Sequence, residues 1–435
     1  MSGAPGLAPR LLCARTLIRA AETGSYGNLA LRSALARAEA EGMTDARDSA
    51  LCTAIFQGTT ERLLTLDACI RAHVKRPLEK LELTVLCVLR CGIYELLYLQ
   101  TPEFAAVNLW TEAVKKLKKT SASGMVNAVL RAFLRSGKRI PLPAEPIAAM
   151  SVQYSVPEEL LRLLLRDYDT ETVTAFLEDA NGEPPVYVRR NPLHVTEAEF
   201  SERAKAEPVA GIPGAYRLPR GQRIDGSILH VQDLASQLCC LALDPQPGET
   251  VLDVCAAPGG KSFTAAELMQ NRGQIFAYDL HENRVNLIRR GAKALGITCI
   301  TAQPGDARET DKPQADRVLC DVPCSGFGVI RRKPEIRYKS LAETESLPEI
   351  QYQILEASAK AVKPGGVLVY STCTVLKREN EAVVQRFLAE HPAFIPEKPW
   401  QQYPVLAGYG AEMTTLFPAM LQSDGFFIAK LRRRA

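Results

Sequence analysis

Several features that define large protein classes are missing from this sequence of 435 residues. It has no run of about 18 apolar residues of the kind that spans a bilayer. Its N-terminal stretch carries arginines and lacks the uninterrupted apolar core of a signal peptide. Membrane insertion and secretion are therefore disfavoured, and we expect a cytoplasmic protein.

Patterns that bind metals are also scarce. The chain has five histidines, no HExxH motif and no pair of CxxC units, and these are the spacings typical of zinc sites. Several of its twelve cysteines lie inside apolar runs such as 86–89 and 238–241, where a reduced cysteine packs as a small hydrophobic side chain. We therefore expect no metal site and a reducing environment.

Neither sign of charge dominates. The chain carries 53 basic and 49 acidic residues for a net charge of +4, which does not by itself indicate a nucleic-acid ligand. Basic residues do cluster locally at Arg331, Arg332 and Lys333 and again at 432–434. Each cluster is either a solvated surface run or a set of phosphate contacts.

The length favours two or three domains, because one hydrophobic core rarely organises this many residues. Residues 1–140 show apolar side chains at helical spacing, as in Leu78, Leu81 and Val85, and we expect an all-α domain. Prolines between residues 141 and 146 mark a linker. Residues 145–225 combine a helix with an extended segment, which suggests a small α+β module.

Residues 226–435 alternate strand-like runs with helices. The strands are predicted at Val251–Val254, Gln274–Tyr278, Arg317–Cys320 and Val367–Tyr370, and each is followed by polar or turn residues. Such alternation predicts a parallel, doubly wound sheet, whose ligand site lies at the carboxyl ends of the strands.

A glycine-containing turn follows the first of these strands. Gly259 and Gly260 precede a helix that begins near Lys261. Glycines let the backbone approach a ligand closely, and a helix N-terminus presents N–H groups to an anionic group such as a carboxylate. The turn lacks GxGxxG and does not complete the phosphate-binding loop pattern, which makes a dinucleotide or a nucleoside triphosphate a weaker candidate. The turn favours a small nucleoside cofactor.

Two aspartates follow the next strands. Asp279 lies 19 residues after Gly260. This spacing is close to the roughly 20 residues expected between such a turn and a carboxylate that accepts hydrogen bonds from ribose hydroxyls. Asp306 follows a third strand and is placed to accept from an adenine amino group. Either residue alone is better explained as a cap or turn residue. Their serial placement at strand ends favours a nucleoside.

Two cysteines are expected at the same edge of the sheet. Cys324 lies in the segment Asp321–Gly326 after one strand, and Cys373 lies in Ser371–Thr374 after another. A thiolate can add to carbon 6 of a pyrimidine, which makes carbon 5 nucleophilic enough to take a methyl group. Asp321 is the candidate to hydrogen-bond the cytosine N3 and amino group. A cysteine alone is better explained as a buried small residue, but the pair beside an aspartate favours catalysis.

These motifs carry a family resemblance. Residues 231–431 resemble the Sun group of RNA cytosine-C5 methyltransferases, since the glycine turn, Asp321–Gly326 and Thr372-Cys373 are jointly specific to that group. Residues 7–135 are similar to the NusB RNA-binding fold, in particular at 107–114 and 126–131. The resemblance implies a multidomain protein with an all-α NusB-like domain at 1–140, a small α+β linker module at 145–225 and a C-terminal α/β Rossmann-like domain at 226–435 that depends on S-adenosylmethionine.

The resemblance also implies roles for residues. Cys373 would be the nucleophile, and Cys324 would assist breakdown of the covalent adduct and release of the product. In DNA cytosine methyltransferases the nucleophile is the cysteine of a Pro-Cys pair. Cys324 follows Pro323 and is therefore the alternative nucleophile. S-adenosylmethionine would be bound by Cys255, Ala256, Ala257, Pro258, Gly259, Gly260, Lys261, Asp279, Asp306 and Asp321. RNA phosphates would be contacted by Arg331, Arg332 and Lys333.

The implied substrate is a cytosine in 16S rRNA, either free or in an early small-subunit particle, methylated by a monomeric enzyme. The cytosine must leave its stack to meet a thiolate, so we expect a loop or a distorted helix as the target. Three alternatives compete: a noncatalytic RNA-binding or assembly factor, a methyltransferase with a different RNA target, and a Rossmann oxidoreductase. The missing GxGxxG motif argues against the oxidoreductase.

Overall fold

The computed structural model describes residues 5–23, 27–219, 221–222 and 225–435. The chain folds as two units, one formed by Met1–Tyr168 with Lys333–Lys339 and the other by Asp169–Arg332 with Ser340–Ala435. The boundary after Tyr168 falls inside the segment 145–225 that we predicted as a separate module. The division into three parts stays a prediction.

The first unit is helical, as the spacing of apolar residues predicts. In the helix Ser123–Arg135 the side chains of Val126, Val129, Leu130 and Phe133 recur at three- and four-residue intervals and are buried in the core of this unit. Its helices are α1 (Leu7–Thr23), α2 (Gly27–Ala40), α3 (Ala46–Glu61), α4 (Leu63–Arg71), α5 (Leu83–Tyr98), α6 (Glu103–Lys116), α7 (Ser123–Arg135), α8 (Pro146–Tyr154) and α9 (Glu158–Asp167).

The second unit begins with a small antiparallel sheet and two helices, in agreement with the predicted α+β composition. The strand order is β2-β3-β1-β4, and a small apolar core around Val188 and Phe200 packs beneath the sheet. The elements are α10 (Thr170–Ala180), β1 (Val186–Arg190), α11 (Glu197–Ala204), β2 (Glu207–Pro208), β3 (Ala215–Leu218) and β4 (Leu229–Val231).

A second, larger sheet follows, in the order β10-β12-β9-β8-β5-β6-β7, with β11 paired to β12. Its elements are α12 (Leu234–Leu243), β5 (Thr250–Asp253), α13 (Gly260–Leu268), β6 (Gln274–Asp279), α14 (Glu282–Ala294), β7 (Ile300–Pro304), β8 (Ala315–Asp321), α15 (Leu347–Lys360), β9 (Val362–Thr372), α16 (Glu381–Glu390), β10 (Phe394–Glu397), β11 (Met413–Leu416), α17 (Pro418–Leu421) and β12 (Phe426–Arg433).

The four strands predicted for this sheet are confirmed, but the sheet is mixed. Strands β5 to β9 pair in parallel. Strands β10, β11 and β12 add an antiparallel edge, with Phe427 of β12 opposite Thr372 of β9. The expectation of a wholly parallel sheet is corrected at this edge, where pairing depends on contacts distant in sequence.

Helices cover both faces of the large sheet. Leu319 of β8 packs into a core with α12, α13 and α14, whereas its neighbours Val318 and Cys320 pack into a second core with α15 and α16. This alternation is the period of two that a strand imposes on its side chains. Among the described residues, no helix has the length and apolar character to cross a membrane.

Candidate active site

The carboxyl ends of β8 and β9 bring two cysteines together. These strands are parallel, and Asp321 of β8 pairs with Ser371 of β9, so the loops that follow leave the sheet at the same level. The Sγ atoms of Cys324 and Cys373 lie 3.1 Å apart, within hydrogen-bond distance. The predicted meeting of the two thiols at the sheet edge is therefore present in the structure.

These thiols differ from most other cysteines in their exposure. All twelve cysteines lie in the described part of the chain and none forms a disulfide; Cys255, Cys324 and Cys373 are partly exposed, and the others are buried. The hydrogen bond with Cys373, followed by burial, raises the pKa of Cys324 well above its usual range. Because Cys324 holds its proton, it can donate to the Cys373 sulfur and stabilise negative charge there.

Two buried polar side chains that the sequence analysis missed hold these loops. Glu379 Oε2 accepts from the Ser325 backbone N–H at 2.8 Å and from Gln351 Nε2 at 3.0 Å. The neighbouring Asn380 accepts from Thr372 Oγ1 at 2.6 Å. Both are fully buried. Their only sequence signal is an adjacent Glu-Asn pair downstream of the Thr-Cys motif, which by itself predicts an ordinary polar turn.

Asp321 is held by hydrogen bonds on both carboxylate oxygens. Ser371 Oγ donates to Oδ1 at 2.7 Å, and Lys261 Nζ donates to Oδ2 at 2.7 Å. Burial alone would lower the pKa of Lys261, but the carboxylate of Asp321 outweighs burial and the pKa is raised. The ion pair ties the glycine turn to the end of β8. Asp321 thus lies between the turn predicted to bind the cofactor and the loop that carries Cys324.

A cavity of about 210 Å³ opens where the glycine turn meets α13. It is lined by Val231, Gln232, Asp233, Ser236, Asp253, Cys255, Ala256, Ala257, Pro258, Gly260, Lys261 and Asp321. Most of the turn predicted to bind the cofactor is in this set. Gly259 adopts φ 114°, and a Cβ there would overlap the Phe263 ring, so the turn requires glycine at this position.

Asp253, the last residue of β5, places a carboxylate in the cavity wall. Its Oδ2 accepts from Ser262 Oγ at 2.6 Å, while the buried Oδ1 has no hydrogen-bond partner among the residues that the structure describes. Burial raises the pKa of Asp253 to about 7. Among the described residues no side chain caps the start of α13, and its first two residues, Gly260 and Lys261, line the same cavity. The Asp253 carboxylate can accept from the α-ammonium of a methionyl group, and the uncapped N–H groups of α13 can donate to its α-carboxylate. The residues present therefore fit S-adenosylmethionine.

The two predicted nucleoside contacts, Asp279 and Asp306, are not among the residues that line this cavity. Asp279 ends β6, is buried, and lies 3.5 Å from Arg284 Nη1. Asp306 follows β7 and is hydrogen-bonded on both oxygens by Arg308, which lowers its pKa. Both lie at carboxyl ends of neighbouring strands, where the sequence predicted them. Their contact with ribose and adenine stays a prediction.

The basic cluster that we predicted to contact RNA has a different arrangement. Arg331 is buried and forms an ion pair with Asp179 at 2.6 Å. Arg332 forms ion pairs with Asp424 at 2.7 Å and with Asp233 at 2.8 Å. These side chains neutralise carboxylates of the chain, and their contact with RNA phosphates stays a prediction. Lys333 is exposed, and its side chain is available for the predicted contact with RNA phosphates.

Within the ranges that the structure describes, no group of three or more His, Cys, Asp or Glu side chains is placed to bind a metal ion.

The sheet order, the glycine turn leading into α13, and the cavity at the carboxyl edge make the second unit a Rossmann-like methyltransferase domain.

Comparisons with known proteins identify the family. The model of the family "16S rRNA methyltransferase RsmB/F" matches residues 240–432, and that of the NusB family matches residues 7–135. The probable ribosomal RNA small subunit methyltransferase B of Bacillus subtilis (strain 168) is 34% identical, with 98% of each chain covered. The ribosomal RNA small subunit methyltransferase B of Escherichia coli O127:H6 is 33% identical over 89% of this chain and 91% of the relative. The chain belongs to the ribosomal RNA small subunit methyltransferase B family, whose members use S-adenosylmethionine.

Solved structures share the fold. The crystal structure of PH0851 covers 100% of both chains with a TM-score of 0.81 and 24% identity. The structure of NSun6 from Pyrococcus horikoshii with SFG covers 64% of this chain and 98% of that chain, with a TM-score of 0.58 and 21% identity. At these identities the likeness concerns the fold alone.

Proposed function

We propose that this enzyme transfers a methyl group from S-adenosylmethionine to carbon 5 of a cytosine in 16S rRNA through a covalent adduct with Cys373. The observation that carries the proposal is the 3.1 Å contact between the Cys373 and Cys324 sulfurs beside Asp321, which also lines the cofactor cavity. One thiol must attack the ring, and a second group must help to resolve the adduct.

The resemblance implies Cys373 as the nucleophile and leaves Cys324 as the alternative, and the raised pKa of Cys324 supports this choice. Cys324 retains its proton because its pKa is raised, and a protonated thiol is a poor nucleophile. The two sulfurs lie within hydrogen-bond distance, so a protonated Cys324 can donate to a thiolate on Cys373. The Cys373 sulfur then adds to carbon 6 of the cytosine, and the electron pair of the C5=C6 bond becomes available at carbon 5.

The remaining residues position the ring and restore it. Asp321 is fixed by Lys261 and Ser371, and each carboxylate oxygen can still accept a further hydrogen bond, here from the cytosine amino group. Bound S-adenosylmethionine supplies an electrophilic methyl group. A base then removes the proton from carbon 5, and the electron pair left there re-forms the C5=C6 bond and expels the Cys373 thiolate from carbon 6, which restores the aromatic ring. Cys324 lies next to that bond and assists this release.

We propose cofactor contacts by Cys255 to Lys261, Asp279, Asp306 and Asp321. The substrate is 16S rRNA, free or in an early small-subunit particle, and the enzyme acts as a cytoplasmic monomer. Lys333 supplies a phosphate contact. The helical unit, similar to NusB, supplies further RNA contacts.

Methylation of unmodified small-subunit rRNA tests the proposal. Full-length protein is incubated with S-adenosylmethionine carrying a labelled methyl group and with either free rRNA or early particles, and methylated cytosines are mapped by bisulfite sequencing. We expect label at a single cytosine, resistant to bisulfite conversion. Absence of label with both substrates would support a noncatalytic assembly factor. Label found only when another RNA is supplied in place of small-subunit rRNA would identify a different target.

A further inference from the structure

A buried glutamine outside the predicted cofactor residues faces the cofactor cavity. Gln232 directly follows β4 of the small sheet, is 6% exposed, and lies outside the stretch 240–432 matched by the methyltransferase family model. Its Oε1 accepts from Thr264 Oγ1 at 2.6 Å, which fixes the amide so that Nε2 points the other way. Nε2 is buried and has no hydrogen-bond partner among the described residues. A buried amide N–H without a partner indicates a missing acceptor.

The position of this amide identifies the kind of acceptor. A Cβ added to Gly260 would lie 3.7 Å from Gln232 Nε2, so the amide nitrogen lies close to the first residue of α13. The N-cap of this helix, Gly259, has no side chain to satisfy the first N–H groups. Gln232 and the helix N-terminus therefore present donors to one region of the cavity, and this combination suits a carboxylate.

The same cavity also has a carboxylate side chain in its wall, which suits a positively charged group. Asp253 places its unpartnered Oδ1 in the wall, where it can accept from an ammonium group. Donors on one part of the wall and a carboxylate on another match the zwitterionic end of an α-amino acid. The methionyl end of S-adenosylmethionine is such a group.

We propose that Gln232 Nε2 donates a hydrogen bond to the α-carboxylate of the cofactor and makes the enzyme selective for a cofactor with an intact amino-acid end. Thr264 is a positioning residue that orients the amide. The inference rests on the use of S-adenosylmethionine and is independent of which base is methylated. The small sheet thus contributes to cofactor binding through the residue after β4.

Calorimetry with the full-length protein tests this inference with three ligands: S-adenosylmethionine, S-adenosylhomocysteine and decarboxylated S-adenosylmethionine, which keeps the ammonium but lacks the carboxylate. For Gln232→Leu we expect a loss of affinity of about 10- to 100-fold for the two carboxylate-bearing ligands, because a hydrogen bond to a charged group is removed. The affinity for the decarboxylated ligand should change less than about threefold. Gln232→Glu should weaken binding of the carboxylate-bearing ligands further, since it places two negative charges together.

Gln237→Leu is the matched control. Gln237 is fully buried on the adjoining helix and donates to the Gln232 carbonyl, but it does not line the cavity. We expect this variant to lower the melting temperature without discriminating between the ligands. If Gln232→Leu does not fold, Thr264→Val should cause a smaller loss that is again confined to the carboxylate-bearing ligands.

Equal weakening of all three ligands by a folded Gln232→Leu protein, or no weakening of any, would overturn the inference. Ligand binding by the unsubstituted protein without methylation of cytosine would instead count against the proposed function alone.

Discussion

Asp253 shows how burial alone can give one side chain a pH-dependent role. In sequence it is an ordinary aspartate inside the strand predicted at Val251–Val254, and in the structure it is the last residue of β5. In the structure it is 1% exposed, and burial raises its pKa to about 7 although Ser262 donates to it. Below that pKa the side chain is neutral and cannot pair with an ammonium group, whereas above it the carboxylate can.

This shift predicts a pH dependence of cofactor affinity. Between pH 5.5 and 7.5 Asp253 loses its proton, so the affinity for S-adenosylhomocysteine should rise with pH, by up to about tenfold per pH unit below the pKa. Calorimetric titrations of the unsubstituted protein and of Asp253→Asn over this range measure the effect. The asparagine variant carries no titrating group there and should give a nearly flat profile. Equal slopes for the two proteins would exclude Asp253 as the responsible group.

At the scale of elements, the turn from β5 to α13 depends on the conformation of one residue. Gly259 has φ 114°, and its Cα lies so near Phe263 that a Cβ would overlap the ring. Gly248, which precedes β5, also has a positive φ of 94°, but a Cβ there would meet nothing within 4 Å. A comparison of alanine substitutions at the two positions therefore distinguishes the cost of a positive φ from the cost of a steric clash.

We predict that Gly259→Ala lowers the affinity for S-adenosylmethionine at least about tenfold, because relief of the clash must displace the turn or the Phe263 ring. Gly248→Ala should cost only about 1 to 2 kcal/mol of stability, the cost of a left-handed conformation for an L-residue, and should leave the affinity unchanged. Thermal unfolding and calorimetry on both variants check these outcomes. An affinity lowered equally by the two substitutions would contradict the steric explanation.

Local sequence patterns predicted the elements with strong periodicity and missed those formed by distant pairing. The strands β5, β6, β8 and β9 follow from apolar runs ending in turn residues, and their common direction brought Cys324 and Cys373 to one edge. The antiparallel strand β12 pairs with β9 across more than 50 residues of chain, in a register that local composition does not specify.

The same limit explains why the ion pairs of Arg331 and Arg332 were not predicted. A run of basic residues is compatible with a phosphate contact or with internal ion pairs. The partners of Arg331 and Arg332, which include Asp179 and Asp424, lie far away in sequence and become visible only in the folded chain. Gln232 was missed for a related reason, since a single glutamine after a short strand has no pattern until the cavity beside it is formed.

At the scale of the whole molecule, the net charge of +4 is too small to explain binding to RNA, so individual exposed cations matter. We predict that Lys333→Ala weakens RNA binding and reduces the slope of log affinity against log salt concentration by about 1. Filter binding of a small-subunit rRNA fragment at several salt concentrations measures the slope. Lys398→Ala, which removes another exposed lysine, should leave it unchanged. An unaltered slope for Lys333→Ala would remove Lys333 from the RNA contacts.

The whole molecule must also form and resolve a covalent bond to its RNA substrate, and trapping of that bond tests the central claim. Labelled rRNA fragment and S-adenosylmethionine are incubated with full-length variants, and the products are separated on denaturing gels. Cys324→Ala should accumulate a protein–RNA adduct and turn over slowly, whereas Cys373→Ala should form neither adduct nor methylated product. Cys299→Ala, which removes a buried thiol outside the site, should behave as the unsubstituted protein. Adduct formed normally by Cys373→Ala and lost in Cys324→Ala would contradict the account.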